Sequence, residues 1–151
     1  MNEVELTFCK NFTKKLIKCE LTIAFASPID RNADWAPDYF RIIEHPMDLS
    51  TIENKLEDSE YKTVEEWRSD INLIWKNAMT FNKKPSPLFY VADFLQKKCD
   101  KNLAIIPRTE NDVLMIRLEK ANRRMTKLLA FDAPEQSSVP RVDPASLRIK
   151  K

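Results

Sequence analysis

Few residues in this sequence have the type and spacing that catalysis or metal binding requires. The adjacent carboxylates of Glu65 and Glu66 could exchange protons with a substrate. They stand where a helix is predicted to begin, however, and the helix dipole favours carboxylates at that end. His45 is the single histidine, and no second ligand or triad partner accompanies it in a recognisable pattern. We therefore predict that the protein is not an enzyme, that it holds no metal, and that His45 is a loop residue.

The cysteines carry no recognisable chemistry either. Their number is odd, and Cys9, Cys19 and Cys99 show neither CxxC nor Cys/His spacing. A disulfide framework and a zinc site are therefore not indicated. Reduced thiols are typical of a nuclear or cytosolic protein, and that is the environment we expect.

Glycine is absent from all 151 residues, although average usage of about 7% would give roughly ten. Loops that cradle phosphate in nucleotide-binding proteins need glycine so that the backbone can approach the ligand closely. Nucleophile elbows, calcium loops of the EF-hand type and tight β-hairpins need it as well. The sequence thus argues against nucleotide-dependent enzymes and all-β folds, and we expect no cofactor.

The charges are unevenly distributed, although the net charge of the whole chain is only +2. Residues 25–66 contain eleven acidic and four basic residues, a net charge of −7, so the remainder carries +9. An acidic rim of this kind would attract basic peptides, while the alternative is an ordinary solvated helix face. The basic residues elsewhere are scattered, so we do not expect direct nucleic-acid binding. No apolar run is long enough to span a membrane.

Periodic apolar residues predict the helices that must position any site. A stripe from Cys9 to Ile23 predicts a first helix that ends near Phe25. Residues 26–47 follow as a long loop with three prolines, and loops of this length are usually functional. Asp48 is predicted to cap a short helix.

The later helices are marked by their caps. Thr63 and Glu66 form a capping box that opens a helix ending at Asn82, and Ser86 with Pro87 opens the next. A further helix is predicted at about residues 110–129, with heptad-spaced apolar residues from 114 to 128. Proline and polar residues predict a disordered tail over residues 131–151.

Three motifs in this framework together resemble the bromodomain family. They are PDY at residues 37–39, PMDL at residues 46–49, and the asparagine that ends NAMTFN at residues 77–82. They stand in the family's order and at its distances, and the resemblance covers about residues 5–105. The predicted helices add up to an all-α fold with four core helices and an additional C-terminal helix, and the resemblance implies that the core is a left-handed four-helix bundle of bromodomain type. We expect a bromodomain at 1–106, a helical extension at 107–130 and a tail at 131–151.

The resemblance also implies a binding site for acetyl-lysine, an uncharged amide on a methylene stem. Such a ligand needs a narrow apolar slot with a hydrogen-bond donor at its end. The family places this donor at Asn82, whose side-chain NH₂ can supply it, and Tyr39 would act through an ordered water. Phe25 and Ile29 would form the slot walls, and Leu88 would stand as a gatekeeper beside the mouth.

Each of these residues also has a purely structural interpretation. Asn82 could be a helix C-cap, because asparagine tolerates the left-handed conformation. The hydroxyl of Tyr39 could satisfy a backbone group of the loop. The apolar residues of the slot could simply belong to the core.

The sequence departs from the family pattern at two places. The shelf that is often Trp-Pro-Phe is Ile23-Ala24-Phe25 here, and the middle of the loop has Asp34 and Trp35 where many members carry leucines. We hypothesise that Trp35 replaces the lost aromatic shelf from the other side of the slot. Phe81 is expected to pack beneath the pocket. The residues expected to line the pocket less directly are Pro28, Asp34, Trp35, Ala36 and Phe81.

The sequence therefore predicts a non-catalytic reader of acetylated lysine, in histone tails or other acetylated peptides, within the nucleus. The alternative is a helical scaffold or dimerisation module that has lost acetyl-lysine binding. A monomer is expected, with residues 114–128 as the surface through which a dimer would form. No small-molecule substrate, nucleic acid or membrane is expected as a partner.

Overall fold

A computed structural model describes residues 1–130 of the chain, and every regular element within that range is a helix. The predicted disordered tail, residues 131–151, lies outside the described residues. The elements in chain order are α1 (Glu3–Ile17), a 3-10 helix (Glu20–Phe25), α2 (Ala36–Ile42), α3 (Leu49–Glu57), α4 (Val64–Phe81), α5 (Pro87–Asn102) and α6 (Glu110–Leu129).

Four of these helices form a bundle. Helix α4 packs against α5, α3 and α1, and α1 also packs against α3. Each helix turns one apolar face inward, as the spacing of three and four residues predicted. The prediction of an all-α four-helix bundle is confirmed.

Two tryptophans of α4 lie at the centre of the bundle. Trp67 and Trp75 are both 0% exposed, and the ring of Phe12 in α1 meets Trp67 edge-on, with centroids 5.8 Å apart. The indole N–H of Trp67 donates a hydrogen bond to the Thr13 hydroxyl oxygen at 3.1 Å. The polar atom of this large side chain is thus satisfied inside the core, as burial requires.

The predicted caps are confirmed at two helices. The Asp48 carboxylate accepts a hydrogen bond from the backbone N–H of Thr51 at 3.0 Å. In the capping box of α4, the Thr63 hydroxyl accepts from Glu66 N–H at 3.2 Å, and the Glu66 carboxylate accepts from Thr63 N–H at 3.3 Å. Ser86 does precede α5, although its side chain makes no capping hydrogen bond.

The prediction that the first helix continues to Phe25 is wrong. Helix α1 ends at Ile17, and Cys19 has extended backbone angles, with φ −84° and ψ 125°. The Thr22 hydroxyl donates to the carbonyl oxygens of Leu16 and Cys19. This side chain satisfies backbone groups that the end of the helix leaves open. Ile23 consequently leaves the apolar stripe and is 79% exposed.

The interpretation of residues 26–47 as one continuous loop is also wrong, since α2 lies within it. Pro37 stands in the first turn of α2, where its fixed φ favours a helix and its missing N–H costs nothing. Ala36 and Tyr39 are the buried residues of α2. Helix α2 has only seven residues. Because this is too short to show a sustained apolar period, the helix was not detected from the sequence.

The chain divides into two compact units, the first from Met1 to Ile106 and the second beginning at Pro107. The bundle is the first unit. In the second, α6 starts with a capping box between Thr109 and Asp112, and none of its residues is buried. Within residues 1–130, no helix combines the length and the apolar character needed to cross a membrane.

Candidate functional site

A cavity of about 800 Å³ opens at one end of the first unit. Its walls come from the end of the 3-10 helix and the segment after it, from α2, from the start of α3 and the loop before it, and from the adjoining ends of α4 and α5. Eight of the ten residues proposed from the sequence line it. These are Phe25, Pro28, Ile29, Trp35, Tyr39, Phe81, Asn82 and Leu88.

The other two proposed residues do not line the cavity. Asp34 is exposed, and Ala36 is 1% exposed and packed inside the first turn of α2. Both flank Trp35 in the sequence, but successive residues entering a helix point in different directions. The proposal that Asp34 and Ala36 line the pocket is therefore corrected.

Asn82 stands at the C-terminal cap of α4, with its side chain turned back along the helix. Its backbone N–H donates to the Ala78 carbonyl oxygen at 2.9 Å, and its side-chain Nδ2 donates to the same oxygen at 3.0 Å. A primary amide carries two hydrogens, so this bond leaves one for a ligand. The φ of Asn82 is −91°, so Asn82 does not adopt the left-handed conformation. That conformation is therefore not the reason that an asparagine stands at this cap.

Tyr39 supplies a second polar group to the cavity from α2. The residue is 7% exposed, and its ring meets that of Phe81 at a centroid distance of 5.1 Å. Burial raises the pKa of the Tyr39 phenol, and the nearby Asp48 carboxylate raises it further. The hydroxyl therefore stays protonated at neutral pH and can donate a hydrogen bond.

Three aromatic rings form one wall of the cavity. Trp35 lies against Phe81, with centroids 5.9 Å apart and ring planes inclined by 38°, and it meets Tyr39 at 6.3 Å. Trp35 is 47% exposed. Phe81 belongs to this wall and lines the cavity. The sequence analysis instead expects Phe81 to pack beneath the pocket.

The floor of the cavity continues into the hydrophobic core. Phe25 meets Trp75 edge-on, with ring centroids 5.3 Å apart. Ile74 and Ala78 also line the cavity, and the sequence did not identify either of them as a site residue. Their positions eight and four residues before Asn82 put them on the same face of the helix, and this spacing was the signal that could have identified them.

Sequence reasoning also missed several residues on the rim. The guanidinium of Arg31 stands 4.8 Å above the ring centroid of Phe40. The Asp48 carboxylate accepts hydrogen bonds from the hydroxyls of Ser50 and Thr51, each at 2.6 Å. The lining residues not proposed from the sequence are Ala24, Ser27, Asp30, Arg31, Phe40, Pro46, Met47, Asp48, Thr51, Ile74 and Ala78.

The geometry suits a particular kind of ligand. The walls are mainly aliphatic and aromatic, and the amide of Asn82 and the hydroxyl of Tyr39 can both donate to an oxygen atom. Such a cavity fits an uncharged hydrogen-bond acceptor on an apolar stem. In the part of the chain that the structure describes, no group of three or more histidine, cysteine or carboxylate side chains could hold a metal ion.

Comparisons with known proteins show which family and fold the chain resembles. The family model described as Bromodomain matches residues 9–93. A solved structure, the second bromodomain of Candida albicans Bdf1 bound to an imidazopyridine, superposes with a TM-score of 0.62 at 31% identity. That match covers 67% of this chain and 98% of the other.

Curated relatives are similar over the same region. An ankyrin repeat, bromo and BTB domain-containing protein of Dictyostelium discoideum is 41% identical over 67% of this chain. The SWR1 complex bromodomain subunit bdf1 of Schizosaccharomyces pombe and transcription factor GTE1 of Arabidopsis thaliana are each 34% identical, over 76% and 74% of it. The matched regions span only 12%, 20% and 29% of these three relatives.

Proposed function

The chain belongs to the bromodomain family, and from that premise we propose that its cavity binds acetylated lysine in peptides such as histone tails. The family reads acetyl-lysine in chromatin proteins, and the relatives are named as subunits and factors. We further propose that the protein works in the nucleus and catalyses no reaction. Its partner is then an acetylated protein segment.

One observation carries the proposal. Asn82 and Tyr39, which the resemblance marks as the residues that hold the acetyl group, both line the same largely apolar cavity. They reach it from different elements, the end of α4 and the middle of α2. Phe25, Ile29 and Leu88 line that cavity as well and are proposed to enclose the methylene stem.

Simple energetics explain why such a cavity would distinguish acetylated from unmodified lysine. Burying an ammonium group without a counter-charge costs several kcal/mol, and acetylation removes that charge. Burial of four methylenes contributes about 3 kcal/mol, and a hydrogen bond to the amide adds roughly 1 kcal/mol. The loss of translational and rotational freedom offsets much of this gain. A single site is therefore expected to bind in the micromolar to millimolar range.

The test is a titration of the full chain with histone-tail peptides selected from an array of acetylated sequences. We expect heat of binding with acetylated peptides and none with the same peptides unmodified. Asn82→Ala should weaken binding by about tenfold or more, because the buried amide oxygen of the ligand loses its donor.

Asn102→Ala is the matched control, because Asn102 is an exposed asparagine that does not line the cavity. This variant should bind acetylated peptides as the wild type does. Equal binding of acetylated and unmodified peptides, or full binding by a folded Asn82→Ala protein, would contradict the proposal.

A helical scaffold that assembles through α6 is the second candidate. It is favoured by the apolar residues at heptad spacing on that helix, because Leu114, Leu118, Met125 and Leu128 are all 50% exposed or more. Light scattering over a range of concentrations tests it. Under this candidate the chain would dimerise, and Leu118→Glu would return it to a monomer.

A further inference from the structure

Trp35 differs from the other two tryptophans of the chain. Trp67 and Trp75 are 0% exposed, whereas Trp35 is 47% exposed and lines the cavity. Its contacts with Phe81 and Tyr39 hold the indole in place. A fixed, half-exposed indole in a concave site offers a large apolar surface to a ligand.

The acetyl-lysine side chain does not account for that surface. At about 800 Å³, the cavity is in the upper part of the range for pockets that hold drug-sized ligands. An acetyl-lysine side chain is smaller than such a ligand. Space for more than the acetyl-lysine side chain therefore remains in the cavity that Trp35 lines.

Within residues 1–130, no cation is recorded over the ring of Trp35. Among the described residues, the cation–ring contacts are those of Arg31 with Phe40, Lys55 with Tyr61, Lys84 with Phe89 and Lys98 with Phe94. Arg31, the arginine of the rim, is therefore already placed on another ring. The indole face, which binds cations best among aromatic side chains, is left for a ligand.

A carboxylate in the same cavity favours a cation there. Asp34 precedes Trp35 and is exposed, and Asp30 lines the cavity. Among the described residues, the ion pair nearest in sequence joins Arg41 to Asp38 at 3.0 Å, and none is recorded for Asp30. Asp30 accepts its hydrogen bonds from the uncharged Asn32.

We infer that Trp35 is a specificity-determining residue, the platform on which a basic side chain of the bound peptide stacks beside the acetyl-lysine. The inference rests on the proposed function and names its substrate class, which is acetyl-lysine with a neighbouring arginine or lysine. The cation is held between the indole face and the carboxylate of Asp30, which lines the same cavity.

The experiment uses the full chain and three short peptides. The first has one acetyl-lysine with arginine on either side, the second has citrulline in place of each arginine, and the third is the first without acetylation. Citrulline keeps the shape of arginine but has no charge. We expect the first peptide to bind about two- to fivefold more tightly than the second.

Two variants of Trp35 test whether the preference for the arginine peptide depends on this residue. Trp35→Ala should lower the ratio of the two affinities toward one while the citrulline peptide still binds. Trp35→Phe keeps the packing on Tyr39 and Phe81 and should give an intermediate ratio, since phenylalanine attracts cations less strongly. Ile105→Ala, at an apolar residue 66% exposed and outside the cavity, should keep the wild-type ratio.

The outcomes separate this inference from the proposed function. A wild-type ratio of one, or an unchanged ratio in folded Trp35→Ala and Trp35→Phe proteins, overturns the role of Trp35 although acetyl-lysine binding stands. If the acetylated peptides bind no better than the unmodified one, the proposed function fails and the inference fails with it. Thermal melting of each variant shows that it is folded.

Discussion

The side-chain amide of Asn77 donates a hydrogen bond of 2.7 Å to the backbone carbonyl oxygen of His45. This bond joins α4 to the loop ahead of α3, which contributes Pro46 and Met47 to the cavity wall. Asn77 is 8% exposed. One buried amide of the bundle thus holds part of the site in place.

Asn77→Ala should therefore destabilise the protein by about 1 to 2 kcal/mol, because the His45 carbonyl loses its donor in a partly buried place. Urea unfolding followed by circular dichroism measures this change. Asn54→Ala, at an exposed asparagine of α3, is the control and should stay within about 0.5 kcal/mol of the wild type. Equal stability of the two variants would show that the bond contributes nothing.

Thr13→Val should destabilise the bundle more than its small change in shape suggests. The substitution leaves the indole N–H of Trp67 without an acceptor in a place where both residues are 0% exposed. The expected loss is about 1 to 3 kcal/mol in the free energy of unfolding. Thr13→Ser keeps the hydroxyl and should retain the hydrogen bond, so a loss as large as that of Thr13→Val would contradict this explanation.

Ser59→Gly should stabilise the protein, which is unusual for a change to glycine. Ser59 has a φ of 57° in the turn after α3, a left-handed conformation that costs residues other than glycine roughly 1 kcal/mol. We expect a gain of about 0.5 to 1 kcal/mol in urea unfolding. Ser69→Gly, at an exposed position inside α4, should instead lose about 0.5 kcal/mol. A loss at both positions would refute the argument.

Stability should fall as the solution becomes alkaline. Burial is the main cause that raises the pKa of Cys9 to about 12 and that of Cys99 to about 11, from an ordinary value of 9.0. Above pH 9 the unfolded chain releases these thiol protons while the folded chain keeps them. The stabilising contribution is complete below pH 9 and is lost as the pH rises through the folded values.

Unfolding in urea with a reductant, at several pH values between about 7 and about 10, measures this loss. Each thiol adds at most about 1.4 kcal/mol per pH unit to the slope. Cys9→Ala should lower the slope whatever it does to the stability at neutral pH. An identical slope in the wild type and in Cys9→Ala would contradict the assignment.

Acrylamide quenching of the intrinsic fluorescence should report on Trp35. Trp67 and Trp75 are 0% exposed and Trp35 is 47% exposed, so collisions with the quencher should occur mainly at Trp35. Trp35→Phe is expected to remove most of the quenching, and an acetylated peptide that binds the wild type should reduce it. Quenching that persists in Trp35→Phe would place the accessible indole elsewhere.

Features that depend on neighbours in sequence were predictable from the sequence. The caps at Asp48 and Thr63 follow from local hydrogen bonding, and the helices follow from the periodic spacing of apolar residues; together they determined most of the bundle. The break after Ile17 was not predictable, because it depends on the Thr22 hydroxyl reaching back to Leu16 and Cys19.

The features of the cavity also divide into those that the sequence indicates and those that only the tertiary structure reveals. The sequence alone indicated a long proline-containing segment and an asparagine at a helix end, and its lack of glycine excluded loops that cradle phosphate. Only the tertiary structure decided that Trp35 faces the cavity while Asp34 and Ala36 do not, and that Ile74 and Ala78 contribute to its lining. The physical reason is that capping and periodicity act between residues a few positions apart, whereas the direction of a loop side chain is set by packing against distant elements.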